Sequence, residues 1–581
     1  MERRLPLIGL VLLLAAGWGT FGLNGTLICD DYGFIFEAEP GETLPTGEMM
    51  ARIWRSAGVS RFLTHLLHRR LFPEVRDCFW VAHAAVLAVH GLNVWLMFRF
   101  ARRALGGDGP AFLAAAFFGL WPVACEVTYW ATQINYHIAV ALLLSIGLVW
   151  LRADPRLPGW WRRAWPVGPL SLLLSQFNEQ ALCVTAALAG LTAFAGEGPV
   201  RGRLLRFAAH GAYLAAPVAV YLAAFFATLD REAMRGTHQR TLPTRYEVTP
   251  AGDLPSKVMW TLERQAYHLP MVRWDRQMLV GSVRRLPEFA GEFPAAWAAL
   301  LLPVIGGVLA WRSRAAPDEP LPDGRLPGAL LFAALAFLAA AAPVIATREQ
   351  WPALRLGFVP SVGVHLASAA VVWALWRLAA ARWAWSAAAG RVALGGLLGI
   401  NAFVCLTEGW QYDKQHRINL AHAAQIRAQF ADDPGPRRLL VGHVQWFAQP
   451  LTVRHHDHII SAWIFPWATA GFLRHQFGDD EIRYHSTGGH QPFDPQQVLD
   501  DVGGLYVFTY VPRNETDAAV APPASYALRP VRNLEFVDRG GGRRRVRLPR
   551  MAEVRPGAGT DVVEVLPVPA HDVRALRFPE E

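Results

Sequence analysis

The chain has 581 residues, of which 53% are hydrophobic and only 18% are charged. Soluble proteins carry about 25% charged residues, and here the apolar residues come in long blocks, so the composition excludes an ordinary soluble protein and predicts a multi-pass membrane protein. The net charge is +9, and most of the basic residues are arginines. No stretch of the sequence alternates basic and aromatic residues as a nucleic-acid-binding groove does. We therefore expect the basic residues to contact lipid head groups, and we expect no nucleic-acid partner.

Ten apolar stretches are long enough to hold transmembrane helices, which need about 20 residues each. Nine of them predict one span each. The tenth, residues 164–196, is long enough for two short passes that are broken at the polar sequence "SQFNEQ" (175–180). The sequence thus predicts an all-α membrane domain of about 11 transmembrane helices, or ten if 164–196 crosses once. The single spans are 5–23, 78–99, 110–127, 137–151, 206–228, 291–311, 327–346, 356–379 and 386–407.

Arginine in the short connections sets the orientation, because cytoplasmic loops are enriched in basic residues. With the N-terminus inside, the cytoplasmic connections carry arginine, as in "RFARR" (99–103), whereas the opposite loop "TYWATQINY" (128–136) has no basic residue. We therefore expect a protein of the inner (plasma) membrane. Loops 24–77 and 229–290 and the segment 408–581 would lie outside the cytoplasm.

The last third of the chain has a different pattern. "RLLVGHV" (438–444) and "GLYVFTYV" (504–511) predict buried strands, and "LAHAAQIRAQF" (420–430) predicts a helix. We therefore expect two parts, a polytopic membrane domain over residues 1–407 and a soluble extracytoplasmic α/β domain over residues 408–581.

Four segments of the membrane domain carry a shared pattern in chain order. They are "HGLNVWLMFRFARRALG" (90–106), "AAFFGLWPVACEVTYWAT" (115–132), "LLLSQFNEQALCV" (172–184) and "RLGFVPSVGVHLA" (355–367). This series resembles the polytopic C-type glycosyltransferase superfamily, especially the bacterial relatives of protein O-mannosyltransferases with tetratricopeptide tails. The chain departs from that pattern at Trp121 and Ala124, where the family has histidines, and it lacks the tetratricopeptide repeats.

The resemblance implies transfer of a sugar from a polyprenyl-phosphate donor to an external glycan, lipid or protein acceptor. The family has an acidic residue or pair just after the first span, and here Asp30 and Asp31 hold that place in "NGTLICDDYGFIF" (24–36). A carboxylate there can take the proton of an acceptor hydroxyl, and the same pair could hold a divalent metal such as Mg²⁺ or Mn²⁺. The residues alone also allow a helix along the membrane surface that Asp30 caps, with Asp31 near its positive end.

Two further carboxylates and Tyr32, the aromatic residue beside the aspartate pair, are predicted to bind substrate. Glu126 ends the third predicted span on the same side of the membrane as the pair. It could orient the acceptor or hold a metal, or it could simply bond to Tyr129 or Trp130. Glu179 holds the acidic position of the third family-like segment.

Two arginines flank a short loop on the external side, where topology disfavours basic residues. These residues, Arg348 and Arg355, predict a grip on the donor phosphate, which a guanidinium can bind through two hydrogen bonds. The alternative is that they extend to the lipid head groups as ordinary anchors.

A second function stays open on the sequence alone, that of a non-catalytic membrane protein for the assembly or transport of cell-envelope polysaccharide. A transporter should show inverted repeats and charged residues deep within its spans, and neither is clear in this sequence. Carboxylates collected at one face of the membrane instead favour the enzyme.

Overall fold

The structure is a computed structural model of the chain. The residues it describes are 5–27, 31–32, 47–48, 50–51, 54, 61–154, 158–193, 199–228, 249–267, 279–312, 321–322, 324–346, 357–383, 385–429, 437–441, 466–477, 482–486, 504–511, 533–538, 543–547, 562–568 and 573–577.

Before residue 430, every element that the structure describes is helical. Short 3₁₀ segments at Pro73–Cys78, Pro122–Ala124, Ala131–Gln133 and Pro294–Leu301 connect the helices. The first helix, α1 Leu5–Leu14, continues through a π-helical segment at Ala15–Gly19 and a last turn at Thr20–Gly22. The other helices are α2 Phe62–Leu71, α3 Trp80–Leu105, α4 Asp108–Gly119, α5 Cys125–Tyr129, α6 Ile134–Ala153, α7 Trp160–Arg163, α8 Val167–Ser175, α9 Glu179–Ala187, α10 Ala189–Ala193, α11 Val200–Thr228, α12 Leu254–Tyr267, α13 Val280–Glu292, α14 Leu302–Arg312, α15 Arg325–Ala346, α16 Ser361–Arg382 and α17 Ser386–Gln429.

Within the described residues, seven helical segments are long and apolar enough to cross a membrane, or eight if the bent pair α4 and α5 forms one span. The chain is therefore a multi-pass helical membrane protein. The remaining predicted spans fall on shorter helices, Leu7–Gly22, Val167–Ser175 and Glu179–Ala193. The predicted number of 11 spans stays a prediction. The seven segments are Trp80–Leu105, Ala131–Ala153, Val200–Phe225, Pro294–Trp311, Arg325–Ala346, Ser361–Arg382 and Ser386–Ala421.

Helix α3 shows how the sequence ends a span. Arg102 and Arg103 lie in its last turn, where cations are favoured by the partial negative charge of the helix C-terminus. Gly106 then adopts φ 85°, a conformation that glycine adopts without steric cost, and its N–H closes the helix on the Arg102 carbonyl at 2.9 Å. The arginines predicted to be cytoplasmic are thus also the residues that terminate the helix favourably.

The third predicted span is not one straight helix, because α4 and the following segment Pro122–Tyr129 are bent by 44°. Pro122 has no N–H to continue the helix, and the broken turn leaves the Gly119 carbonyl without its helical partner. Two distant side chains compensate for that loss, since Trp18 Nε1 and His90 Nε2 donate to Gly119 O at 2.7 Å and 3.0 Å. The bend directs α5, which carries Glu126, away from the axis of α4.

The last membrane helix, α17, packs on α14 with backbone touching backbone. A Cβ added at Gly306 would lie 2.1 Å from the Gly395 carbonyl oxygen, and one added at Gly399 would lie 2.2 Å from the Leu302 carbonyl oxygen. Small residues permit this close approach of helices in a membrane. The backbones of α14 and α17 are therefore in direct contact along this face.

Helix α17 is 44 residues long and runs without interruption from Ser386 to Gln429. The helix predicted over 420–430 is therefore the end of α17 and not a separate element. The boundary predicted at residue 407 also lies inside this helix. The division of the chain into two domains and the extracytoplasmic location of the second stay predictions.

The remainder of the chain contains a helix and two small sheets. The elements are β1 Arg437–Val441, α18 Pro466–Phe477, β2 Ile482–Ser486, β3 Gly504–Val511, β4 Asn533–Asp538, β5 Arg543–Arg547, β6 Val562–Val568 and β7 Val573–Arg577. The four-stranded sheet has the order β2-β1-β3-β6, with β1 parallel to β2 and β3 and with β6 antiparallel to β3. The antiparallel three-stranded sheet has the order β5-β4-β7. Both predicted strands are present, as β1 and β3.

Candidate functional site

Asp31, one of the two predicted catalytic carboxylates, is fully buried. It lies shortly after the first apolar helix, and the N–H of Thr132 donates to its Oδ1 atom at 3.0 Å. Thr132 belongs to the 3₁₀ turn Ala131–Gln133, which connects the bent segment to α6. The bend after α4 thus brings a backbone donor to Asp31 across 101 residues of sequence.

Helix α2 holds the same residue, Thr132, through its carbonyl group. His68 Nε2 donates to the Thr132 carbonyl at 2.8 Å, so the residue that bonds to Asp31 is also fixed by a histidine. Burial lowers the pKa of the His68 imidazole to about 4, and the nearby positive charge of Arg61 also lowers it, although the bond to Thr132 acts in the opposite direction. His68 is therefore neutral at pH 7.

The low pKa of His68 predicts an acid-sensitive connection. An unfolded histidine titrates near 6.5, so the unfolded chain binds more protons than the folded one between pH 6.5 and about 4. The stabilisation is thus complete above pH 6.5 and is lost as the pH falls towards 4. We expect the native protein to lose about 2 kcal/mol more than His68→Gln on going from pH 7 to pH 5. Glutamine can still donate to Thr132 but does not titrate.

This prediction is tested by the thermal unfolding of both proteins in detergent at the two pH values. Identical losses of stability in native protein and His68→Gln would contradict it.

Glu179 lies where the chain breaks between α8 and α9, as the sequence predicted for residues 175–180. Asn178 caps α9 by accepting a hydrogen bond from the Ala181 N–H at 2.9 Å. The Glu179 carboxylate pairs with Arg61, whose Nε and Nη2 atoms both lie 2.7 Å from Oε2. Arg61 starts α2 with φ 50°, so α2 bonds to Glu179 at one end and to Thr132 near the other. The predicted role of Glu179 in binding substrate stays a prediction.

Glu126 is 1% exposed and lies on the short helix α5, which the bend positions against α17. The Tyr412 hydroxyl of α17 donates to Cys125 Sγ at 3.9 Å, and Glu126 and Glu408 both lie within electrostatic range of that hydroxyl. Two buried carboxyl groups therefore interact electrostatically with one phenol where α5 meets α17.

The sequence pattern does not single out Glu408, because residue 408 falls in the predicted soluble domain, just past the end of a predicted span. The sequence does contain a signal for Glu408, namely a series of polar residues spaced by three or four positions. The series consists of Glu408, Tyr412, Gln415 and Asn419. All four are fully buried. Such a spacing predicts one face of a helix, and the structure shows that this polar face is inside the protein.

Tyr32, the aromatic residue beside the carboxylate pair, is also fully buried. Its Oη atom lies 3.1 Å from His416 Nδ1 on α17, and its ring meets the edge of the Phe472 ring of α18 at 5.0 Å between centroids. Burial raises the pKa of Tyr32 well above its usual value, and the negative charge of Asp31 raises it further, while a hydrogen bond with Asn419 lowers it. The hydroxyl therefore keeps its proton at neutral pH.

The structure describes four of the predicted site residues, namely Asp31, Tyr32, Glu126 and Glu179. Asp30, Arg348 and Arg355 lie outside the described residues. Among those described, no group of three or more His, Cys, Asp or Glu side chains is placed to hold a metal ion. Asp31 brings a single carboxylate, whereas Mg²⁺ takes about six oxygen ligands. The described residues do not fit a metal site by themselves, so we derive no step through a metal.

The geometry supplies the Asp31 carboxylate, fixed by the Thr132 N–H, and the neutral His68 imidazole, which bonds to the carbonyl of the same residue. The buried phenol of Tyr32 directly follows Asp31. The Asp31–Thr132–His68 connection and the Arg61–Glu179 pair share helix α2. Hydrogen bonds thus join four segments that are far apart in the sequence. These segments contain Asp31, residues 61–71, residues 126–135 and residues 176–179.

Comparison with known proteins leaves the family open. No protein-family model and no curated protein matches the sequence. Among solved structures, the chain is similar to the crystal structure of ArnT from Cupriavidus metallidurans in the apo state. The identity is 16% and the TM-score 0.35, over 93% of this chain and 97% of that chain. A TM-score this low does not establish a common fold.

Proposed function

We propose that the chain is a membrane glycosyltransferase that moves a sugar from a polyprenyl-phosphate donor to an acceptor on the external face of the membrane. The observation that carries this proposal is the Asp31 carboxylate, buried just after the first apolar helix and held by the Thr132 N–H at 3.0 Å. A hydroxyl acceptor is a weak nucleophile, and a fixed carboxylate within hydrogen-bond reach can take its proton as the sugar bond forms.

The surroundings of Asp31 support a role for its carboxylate as general base, and not only as the cap of a helix. A cap needs a carboxylate on the first turn of its own helix, whereas the Asp31 carboxylate is bonded to a residue 101 positions away. Thr132, in turn, is fixed through its carbonyl by His68. One long-range bond thus holds the carboxylate, and a second holds the residue that donates to it. Together they keep the carboxylate in one position, which general-base catalysis requires.

The other predicted residues have roles consistent with this reaction. Glu126 lies in the bent segment, six positions before Thr132 of the following 3₁₀ turn, and would orient the acceptor. Arg348 and Arg355 would bind the phosphate of the donor, because a guanidinium matches a phosphate with two hydrogen bonds. In this proposal Asp31 deprotonates the acceptor, the acceptor oxygen attacks the anomeric carbon, and the bond to the lipid phosphate breaks.

The proposal is tested with purified protein in detergent or nanodiscs. It is incubated with undecaprenyl-phosphate sugars that differ in the sugar, together with a membrane extract as acceptor. The expected result is that one donor is consumed and that its sugar appears on the acceptor in proportion to the amount of protein. If no donor is consumed by native protein that is folded and monodisperse, the glycosyltransferase proposal is wrong and the non-catalytic envelope protein is favoured.

A further inference from the structure

We propose that Phe472 of helix α18 is a positioning residue for the Asp31 carboxylate, an inference that rests on the proposed function. Asp31 is fully buried, so an acceptor reaches it only after some of the surrounding protein moves. Since the carboxylate must keep its position while the surrounding protein opens, the contacts of the neighbouring Tyr32 decide how precisely it does so.

Helix α18 packs against the rest of the protein with one face. Ala468, Thr469 and Phe472 are fully buried and Leu473 is 1% exposed, at the spacing of three and four residues that defines a helix face. Ala468 belongs to the same hydrophobic core as residues of the membrane helices. Helix α18 therefore packs in the same core as the long apolar helices, although it lies far beyond the last predicted span.

The contact that matters is the edge-to-face pair of Phe472 and Tyr32, with ring centroids 5.0 Å apart and an interplanar angle of 80°. Both rings are fully buried, and such a pair contributes through a preferred geometry as well as through burial. Because Tyr32 directly follows Asp31, a displaced Tyr32 ring moves the backbone that carries the carboxylate.

Tyr32 is held on its other side by helix α17. Its Oη atom lies 3.1 Å from His416 Nδ1, and the same nitrogen lies 3.1 Å from the Leu27 carbonyl oxygen. The Tyr32 ring is thus clamped between α17 and α18. Removing the Phe472 ring opens one side of the clamp and leaves the His416 side intact.

A matched control lies five residues further along the same helix. Phe477 is also buried, but its ring packs beneath the Arg427 guanidinium at 5.1 Å. Arg427 additionally donates to the Gln476 carbonyl. Truncating Phe477 therefore removes an equal ring from α18 without removing the ring that contacts Tyr32.

The first experiment measures the exposure of position 31 and requires no substrate. Asp31→Cys is introduced into a chain in which Cys29 and Cys78 are serine, and it is labelled with a membrane-impermeant maleimide. We expect slow labelling when α18 is native and also with Phe477→Ala. Addition of Phe472→Ala should raise the labelling rate about 10-fold, because local opening governs access to a buried thiol. Equal labelling rates with Phe472→Ala and Phe477→Ala would overturn the inference.

The second experiment measures sugar transfer. Phe472→Ala should lower kcat about 10-fold, because misplacing a catalytic group by a fraction of an ångström is costly, and should leave the KM for the donor unchanged. Phe472→Leu, which keeps apolar volume without the ring, should fall between Phe472→Ala and native protein. Phe477→Ala should retain the native kcat. A merely structural role would lower the yield of folded protein equally in both alanine variants and leave kcat native in the folded fraction, which would also overturn the inference.

The two experiments separate the two proposals. If native protein transfers no sugar, the proposed function fails, while the labelling rates still show whether Phe472 controls position 31. If sugar is transferred and the labelling rates of both alanine variants match, the proposed function stands and Phe472 has no positioning role.

Discussion

Asp31→Asn should reduce sugar transfer by about 1000-fold, because it removes the group that accepts the proton of the acceptor hydroxyl. The amide has the shape of the carboxylate, and its oxygen can still accept the Thr132 N–H that now lies 3.0 Å from Asp31 Oδ1. The fold should therefore be retained, and the loss should appear in kcat at an unchanged level of folded protein. The measurement is the initial rate of transfer at saturating donor.

Asp108→Asn is the matched control for this prediction. Asp108 makes an exposed ion pair with Arg102 at 2.7 Å, and its substitution removes the same charge far from Thr132. We expect it to change the rate by less than about twofold, since exposed pairs contribute little. Native rates in Asp31→Asn and in the Asp30→Asn, Asp31→Asn double variant would remove both aspartates from catalysis. Loss only on substitution of Asp30 would transfer the role of base to Asp30.

Gly409→Ala should destabilise the protein by about 3 kcal/mol, because it forces apart helices α5 and α17, which touch at this position. A Cβ at residue 409 would lie 2.4 Å from Tyr129 Oη. That hydroxyl donates to Gly17 O at 2.8 Å and lies 3.0 Å from Cys405 O. It therefore cannot move without loss of these bonds. Since Tyr129 ends α5, the shift should also displace Glu126 and Thr132.

The control for this prediction is Gly396→Ala on the same helix. A Cβ there would meet only the Pro303 carbonyl oxygen at 3.8 Å, an ordinary contact, and alanine favours the helix by up to about 1 kcal/mol. Thermal unfolding in detergent should show a lower midpoint for Gly409→Ala and an equal or higher midpoint for Gly396→Ala. Equal midpoints for the two variants would show that α17 and α5 are not in close contact at Gly409.

The sequence predicted the elements that follow from local pattern. Long apolar blocks located the membrane helices, because a span must be apolar over about 20 residues whatever it packs against. The polar run at 175–180 marked the break between α8 and α9, and the alternating segments marked β1 and β3. The sequence singles out the carboxylates Asp31, Glu126 and Glu179, because an acidic residue at the end of an apolar block is visible without knowledge of the fold.

Other features depend on which distant segments meet, and no local pattern contains that information. The bend after α4 is stable because Trp18 and His90 bond to the Gly119 carbonyl. Helix α17 continues to Gln429, past the domain boundary predicted at residue 407. Glu408 and His416 therefore belong to this helix, although the sequence pattern places both in the predicted soluble domain. The contact between Tyr32 and Phe472 joins residues 440 positions apart.

The sequence by itself therefore determined that the chain is a helical membrane protein and which acidic residues lie at the ends of its apolar blocks. Hydrophobicity, which decides both, acts on each segment separately. Only the tertiary structure decided that Asp31 is held by Thr132, that Glu179 pairs with Arg61 and that α18 packs on Tyr32. Each of these contacts requires a hydrogen bond, an ion pair or a ring contact between segments brought together by packing.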